Sequence, residues 1–279
     1  MTFEPTSAGP TTGDRRTHAA IERAEVERER IEEKVAAFEA FGERVREVSA
    51  DAGQRASASA KSPTARSMGS TLAAGAASAG RATGTGTATS SAETVREAFA
   101  ETVLPHADAE TLAEAMADEL SSELAAALSP AAGGFTPGLK GRLVSRVEAR
   151  QTECGLLADA IESERDRVRA VADELEAITD WLTAADETPL LQLGFEELRQ
   201  RHDRLTAFRE TCDRIASERQ SAVRGTRKDG LTGIRESELL DHLYGDFEDD
   251  HPVLADLARL DAALADCQRA VRHHLCARV

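Results

Sequence analysis

The strongest periodic signal in the chain runs from Thr136 to Leu182. Apolar residues recur in alternating steps of three and four through Leu143, Val147, Cys154, Leu157, Ile161, Val168, Val171, Leu175, Ile178 and Leu182, interrupted only by Arg150 and Glu164. Such spacing keeps side chains on one stripe of an α-helix. Thr136 followed by Pro137 reads as an N-cap with proline at the first helical position. The pattern predicts one helix of roughly 50 residues, about 75 Å long at the standard rise. Polar residues at isolated seam positions, here Arg150 and Glu164, commonly fix register rather than perform chemistry. Asp186 to Pro189 reads as a turn. Beyond it, Leu198, Leu205, Phe208, Cys212, Ile215 and Ala222 predict a returning helix from about Phe195 to Arg224, so the two make a long antiparallel hairpin. Gly225 to Gly233 reads as a loop and Ser237 as the cap of a short helix through Tyr244. Pro252 opens a last helix bearing Val253, Leu257, Leu260, Leu264, Cys267 and Val271.

A weaker seam lies near the N-terminus. After a disordered tail expected over residues 1–14, heptad positions Thr17, Ile21, Ala24, Arg28, Ile31, Val35, Phe38, Gly42, Val45 and Ser49 predict an amphipathic, coiled-coil-like helix over residues 15–52. A single stripe cannot bury itself, so this helix needs a partner, in this chain or in another. Ile21, Ile31, Val35, Phe38 and Val45 are the candidate partner seam. Composition then shifts abruptly: 31 of the 39 residues from Gly53 to Ser91 are Ala, Gly, Ser or Thr and none is acidic, which reads as a flexible linker over residues 53–91. Its random-coil span of roughly 35 Å would let the first helix fold back or reach a second chain. The remainder, 92–279, reads as a helical bundle domain. It opens with a capping box at Ser90 and Glu93 before Val95, Phe99 and Val103, ended by Pro105. Asp108 then caps a helix carrying Leu112, Met116, Leu120, Leu124 and Leu128, stopped by Pro130, Gly133 and Gly134. The expected fold class is all-α: a long antiparallel hairpin in a helix bundle with a tethered N-terminal helix, and no sheet.

Composition agrees, since aromatics are only 4% of the 279 residues, which suits thin helical seams better than sheets. The formal charge is −16 with only four lysines. The charges of residues 1–91 cancel, so the whole excess lies on the bundle. Acidic excess keeps a protein soluble where salt screens charge, as in salt-saturated cytoplasm. It argues against nucleic acid as a partner, because counterion release needs clustered Lys and Arg. No secretory leader and no membrane span is legible, so a cytoplasmic address is expected.

Candidate chemistry is sparse. Cys154, Cys212 and Cys267 fall on inward heptad positions of three helices, and Cys276 follows. Opposite Cys212 the hairpin register places residue 168, some 21 Å of helix rise from Cys154, too far for a shared zinc or a disulfide. Cys212 and Cys267 would be neighbours if the last helix folds straight back, but paired buried thiols are usually apolar fillers. The seven histidines show no metalloprotease spacing, and His202 on the inner side of the hairpin reads as structural. Asp246, Glu248 and Asp250 alternate like a calcium loop, but Leu257 stands where its terminal glutamate would be. The arginines and histidines ending the last helix complement its dipole. No enzyme, cofactor, metal or small-molecule ligand is expected from these motifs.

Certain residues resemble an uncharacterised haloarchaeal family of α-helical proteins, a domain of unknown function. The likeness lies in Glu101, Thr102, Val103, Leu104, Pro105 and His106, in the acidic leucine-rich helix ending near Leu128, and in Thr136 and Pro137. It continues in Tyr244, Phe247, Pro252, Val253, Leu254, Cys267 and His274. It covers most of the chain and implies a salt-loving archaeal source and a helical fold, without an activity or site residues. The expectation is a non-enzymatic interaction or scaffold protein, binding a protein partner or itself through helical seams. The alternatives are a regulatory module touching nucleic acid through Arg224, Arg227 and Lys228 or the C-terminal arginines, and an unrecognised enzyme.

Overall fold

The computed structural model describes residues 14–51, 90–132, 134–224 and 235–277. Among them the order is α1 (Asp14–Glu47), α2 (Ser91–Thr102), α3 (Leu112–Glu119), α4 (Ser122–Ala127), α5 (Pro137–Asp186), α6 (Phe195–Val223), α7 (Glu236–Tyr244) and α8 (Pro252–Cys276). Short 3-10 turns occupy Leu104–His106 and Leu190–Gln192. No described residue is in a strand, so the chain is all-α. Helix α5 has the expected 50 residues, and Thr136 caps it, accepting from the Leu139 N–H at 3.2 Å. Ser90 caps α2 in the same way through the Glu93 N–H.

Two helix starts differ from the sequence reading. Thr111, not Asp108, caps α3, because the 3-10 turn at Leu104–His106 and the bend after it carry the chain past Asp108. The run from Leu112 to Leu128 is two helices, not one. It breaks at Ser121, whose φ of 155° leaves the helical region and whose hydroxyl starts α4 by accepting from the Leu124 N–H. Leucines four apart can keep one face across a break, so periodicity does not register it.

The chain divides into two compact units, Met1–Val35 with Thr152–Val279, and Ala36–Gln151. The boundary passes through α1 and α5. This differs from the expected division into a separate N-terminal helix and a 92–279 bundle, because the two halves of α1 are built into different units.

In the first unit α5 and α6 form the antiparallel hairpin, with Glu174 on Arg214 at 2.6 Å and Glu164 on Arg219 at 2.9 Å. Trp181 meets Phe208 edge to face, 5.2 Å between centroids. Cys212 therefore lies one to two turns further along α5 than residue 168, because the turn consumes residues up to Gly194 before α6 begins. Helix α8 runs back along α6, with Asp261 on Arg209 at 2.7 Å and Gln268 on Thr206 at 2.8 Å. The first half of α1 joins them through Glu25 on Arg169 at 2.6 Å. Ile21, Ile31, Ile161, Val168, Leu205, Ile215, Leu257 and Leu264 are buried, each stabilising the fold by about 1.5–3 kcal/mol.

In the second unit the end of α1, α2, α3, α4 and the start of α5 surround Phe38, Phe41, Phe99 and Phe135, all fully buried. Phe41 and Phe99 pack edge to face at 5.2 Å. At Gly42 a Cβ would meet Val147 Cγ1 at 3.2 Å, so α1 and α5 approach closely there. The Lys140 ammonium donates to the Arg46 and Val48 carbonyls at 2.6 and 2.8 Å, satisfying acceptors that the end of α1 leaves open. Asp51 then clasps three segments. Its carboxylate accepts from the Phe135 N–H at 2.7 Å and from the Ser91 hydroxyl at 2.8 Å, and Gly134, with φ +107°, leaves room for it. The two ends of the Ala/Gly/Ser/Thr segment thus meet. Residues 52–89, like the tail before residue 14, lie outside the described residues.

Candidate functional site

The candidate partner seam is covered within the chain. Ile21 and Ile31 are buried in the first unit, Phe38 and Val45 are buried in the second, and Val35 is half-buried. The Arg150 guanidinium lies 5.8 Å from the Phe38 ring centroid. A partner could use this stripe only by opening the fold.

Both polar residues in the α5 seam are ion-paired. In the second unit Arg150 donates to the buried Glu119 carboxylate. In the first, Glu164 is fully buried. It accepts from Arg219 through both oxygens at 2.9 and 3.0 Å and from the Tyr244 hydroxyl at 3.2 Å, while Arg167 bridges it to Glu236 on α7. Burial works against the Arg219 charge, but the adjacent Glu164 carboxylate outweighs it and holds the guanidinium above its ordinary pKa. Burial, then the same carboxylate, pushes the Tyr244 hydroxyl upward. A buried carboxylate on α5 that takes a bidentate pair from α6 and a hydroxyl from α7 fixes how α5, α6 and α7 meet.

Other titratable groups fall into place around α1. Glu27, buried, lies 3.0 Å from His242 Nε2 on α7. The acidic run before α8 faces α1, with Asp249 on Arg16 and Asp246 on Arg23. Asp256, buried, accepts from the Thr17 N–H and hydroxyl at 2.9 and 2.8 Å. None of these pairs was legible in the sequence, because partners more than two hundred positions apart share no local pattern. His202 is half-buried beside Asp203.

The cysteines do not converge. Cys154 and Cys212 are buried free thiols, whereas Cys267 and Cys276 are exposed, so Cys267 is not inward as its heptad position implied. With Arg209 opposite Asp261 and Thr206 opposite Gln268, Cys212 and Cys267 sit about two turns apart, roughly 10 Å of rise. Burial, with Asp261 and Asp213 next, pushes the Cys212 thiol up to about 11, which keeps it protonated and unreactive near neutrality. Among the described residues, no group of three or more His, Cys, Asp and Glu is placed to hold a metal ion, and no helix is long and apolar enough to cross a membrane. Arg227 and Lys228, half of the basic-loop reading, lie outside the described residues.

The site that sequence reasoning missed is an open groove of about 700 Å³ in the second unit, between the α3–α4 corner and the first turns of α5. Leu120 and Leu124 line one side with Ser121, and Gly138, Gly141, Arg142, Ser145 and Arg146 line the other. Arg146 is held by the Leu120 carbonyl at 2.9 Å. Arg142 reaches across to Glu123 at 2.7 Å, both side chains more than half exposed. The two glycines bare the backbone of α5. A Cβ at Gly141 would meet nothing within 4 Å, and one at Gly138 only the Thr136 hydroxyl at 4.0 Å, so no described residue requires glycine there. A glycine inside a helix costs about 0.5–1 kcal/mol relative to alanine. The legible signal was two glycines three positions apart inside a helical pattern.

The fold and this groove define an all-α protein with a helix-lined trough that no described residue covers. By comparison with family models, the chain belongs to the family described as "Domain of unknown function (DUF7260)", which matches residues 15–268. The match begins within the first turn of α1, so it takes α1 and the helices after it together. No curated protein and no solved structure matches the chain.

Proposed function

We propose that this is a non-enzymatic helical interaction or scaffold protein, and that it receives a partner helix in the groove between the α3–α4 corner and α5. The carrying observation is the trough itself, set against the α3–α4 corner and walled by a helix whose backbone is bared at Gly138 and Gly141. Small residues let a second helix backbone approach closely. The N-terminal stripe, the other candidate, is already spent on the chain's own helices. An acid-rich surface suits a salt-adapted cytoplasm, where net charge keeps the rest of the molecule from associating.

The test is capture from lysate of the source cell at molar salt, using tagged full-length protein, Gly141→Leu and the control Gly155→Leu. Gly155 lies on α5 away from the groove and a Cβ there also meets nothing within 4 Å. The expected result is a protein held by the wild type and the control and released by Gly141→Leu. Equal retention by all three would overturn the reading.

A further inference from the structure

We propose that the first half of α1 is a salt-sensitive strap, which undocks from the first unit on its own and so decides whether Ile21 and Ile31 are covered or presented. The two halves of α1 are anchored by different physics. In the second unit Ala37, Phe38, Phe41 and Val45 are buried, and burial of apolar surface needs no unlike charges. In the first unit the buried apolar residues of α1 are smaller, Ala20, Ile21, Ala24 and Ile31, and Thr17, Glu27 and Lys34 are buried on the same half. Arg28, at the seam position between Ala24 and Ile31, buries an Nε that no described residue accepts. Few apolar contacts and an unmet buried donor lower the free energy of local opening.

Charge supplies the rest of the hold. The contacts that tie this half to other elements of the first unit include Arg16 on Asp249, Thr17 on Asp256 at 2.8 Å, Arg23 on Asp246 at 3.9 Å, Glu25 on Arg169 at 2.6 Å and Glu27 beside His242 Nε2 at 3.0 Å. Each of these has a carboxylate on one side. Arg23, Asp246, Glu25 and Arg169 all have side chains at least 39% exposed, so ions reach those pairs and weaken them. The chain as a whole responds the other way, because its net charge of −16 repels itself and salt relieves that repulsion. One change of solvent therefore loosens the strap while it tightens the body. Once the strap is open, Phe38, Phe41 and Val45 still hold the second half of α1 in its own unit.

Hydrogen exchange of the purified full-length chain, read by mass spectrometry at one pH from low to molar salt, tests the proposal. Amides of residues 18–34 are expected to lose protection as salt rises, while those of residues 38–47 and of α6 keep or gain it. Glu25→Arg should speed exchange over residues 18–34 by about two- to fivefold, the worth of one exposed pair, with no change over residues 38–47. Adding Arg169→Glu should restore the protection. Unchanged exchange in α6 shows that the variants remain folded. Protection over residues 18–34 that rises with salt together with the rest, or exchange there that Glu25→Arg leaves unmoved, would overturn the proposal. Because the strap shares no residue with the groove between the α3–α4 corner and α5, either outcome leaves the helix-docking reading as it stands.

Discussion

Asp256, at the start of α8, caps the beginning of α1 from 239 positions away, taking the Thr17 N–H and hydroxyl on one carboxylate oxygen at 2.9 and 2.8 Å. An acidic group at a helix N-terminus satisfies open donors and complements the dipole. The bond joins the first helix to the last, and it makes α1 part of the fold rather than an appendage.

Removing that carboxylate should be costly. Asp256→Ala is expected to lower unfolding free energy by about 1–2 kcal/mol, with Asp256→Asn, which keeps an acceptor, costing less. Burial raises the Asp256 pKa above its ordinary 3.8, against the lowering effect of the Thr17 hydrogen bonds. A raised folded pKa contributes stability that is fully present below the unfolded value and is lost as pH rises through the folded one. Urea titrations from pH 3 upward should therefore show the wild type losing stability relative to Asp256→Asn across that window. A constant difference would show that Asp256 does not carry the buried charge.

The Glu164–Arg219 pair makes a different demand. Arg219→Met alone leaves a fully buried carboxylate without its cation, and should cost about 3–5 kcal/mol. Replacing Glu164 with Leu and Tyr244 with Phe in the same chain removes the stranded groups, and the triple variant should recover most of the loss. If Arg219→Met costs less than about 1 kcal/mol, the range of exposed pairs, water reaches the pair and it does not hold α6 on α5.

Charged substitutions in the α1 stripe should unfold the protein rather than free it from a partner. Phe38→Asp puts a carboxylate among fully buried phenylalanines, and a loss of more than about 3 kcal/mol is expected. A folded Phe38→Asp variant with unchanged melting temperature would return the stripe to the surface.

The ends of the Ala/Gly/Ser/Thr segment are joined through Asp51 and Ser91 at 2.8 Å, so its length spans no gap within the fold. Replacing residues 55–87 with a few glycines and serines should leave the denaturation midpoint unchanged or raise stability by about 1–2 kcal/mol through cheaper loop closure. A marked loss of stability would mean that the segment itself contributes to packing.

The sequence by itself determined what is local. Steps of three and four from Leu143 to Leu182 made α5 a single helix of the right length, and Ser90 and Thr136 marked helix starts, because periodicity and caps act within one or two turns. The hairpin followed from the turn near Pro189, though its register was displaced because turn geometry decides how many residues the reversal consumes. The break at Ser121 escaped because leucines four apart read the same in one helix or in two. Only the tertiary structure decided what covers the α1 stripe, since an apolar stripe accepts any complementary surface and does not encode which one. The same holds for Asp256 on Thr17, Lys140 on the α1 carbonyls and Asp51 on Ser91. Each is a contact between distant segments, specified by how packed helices bring them together and by nothing in the residues beside them.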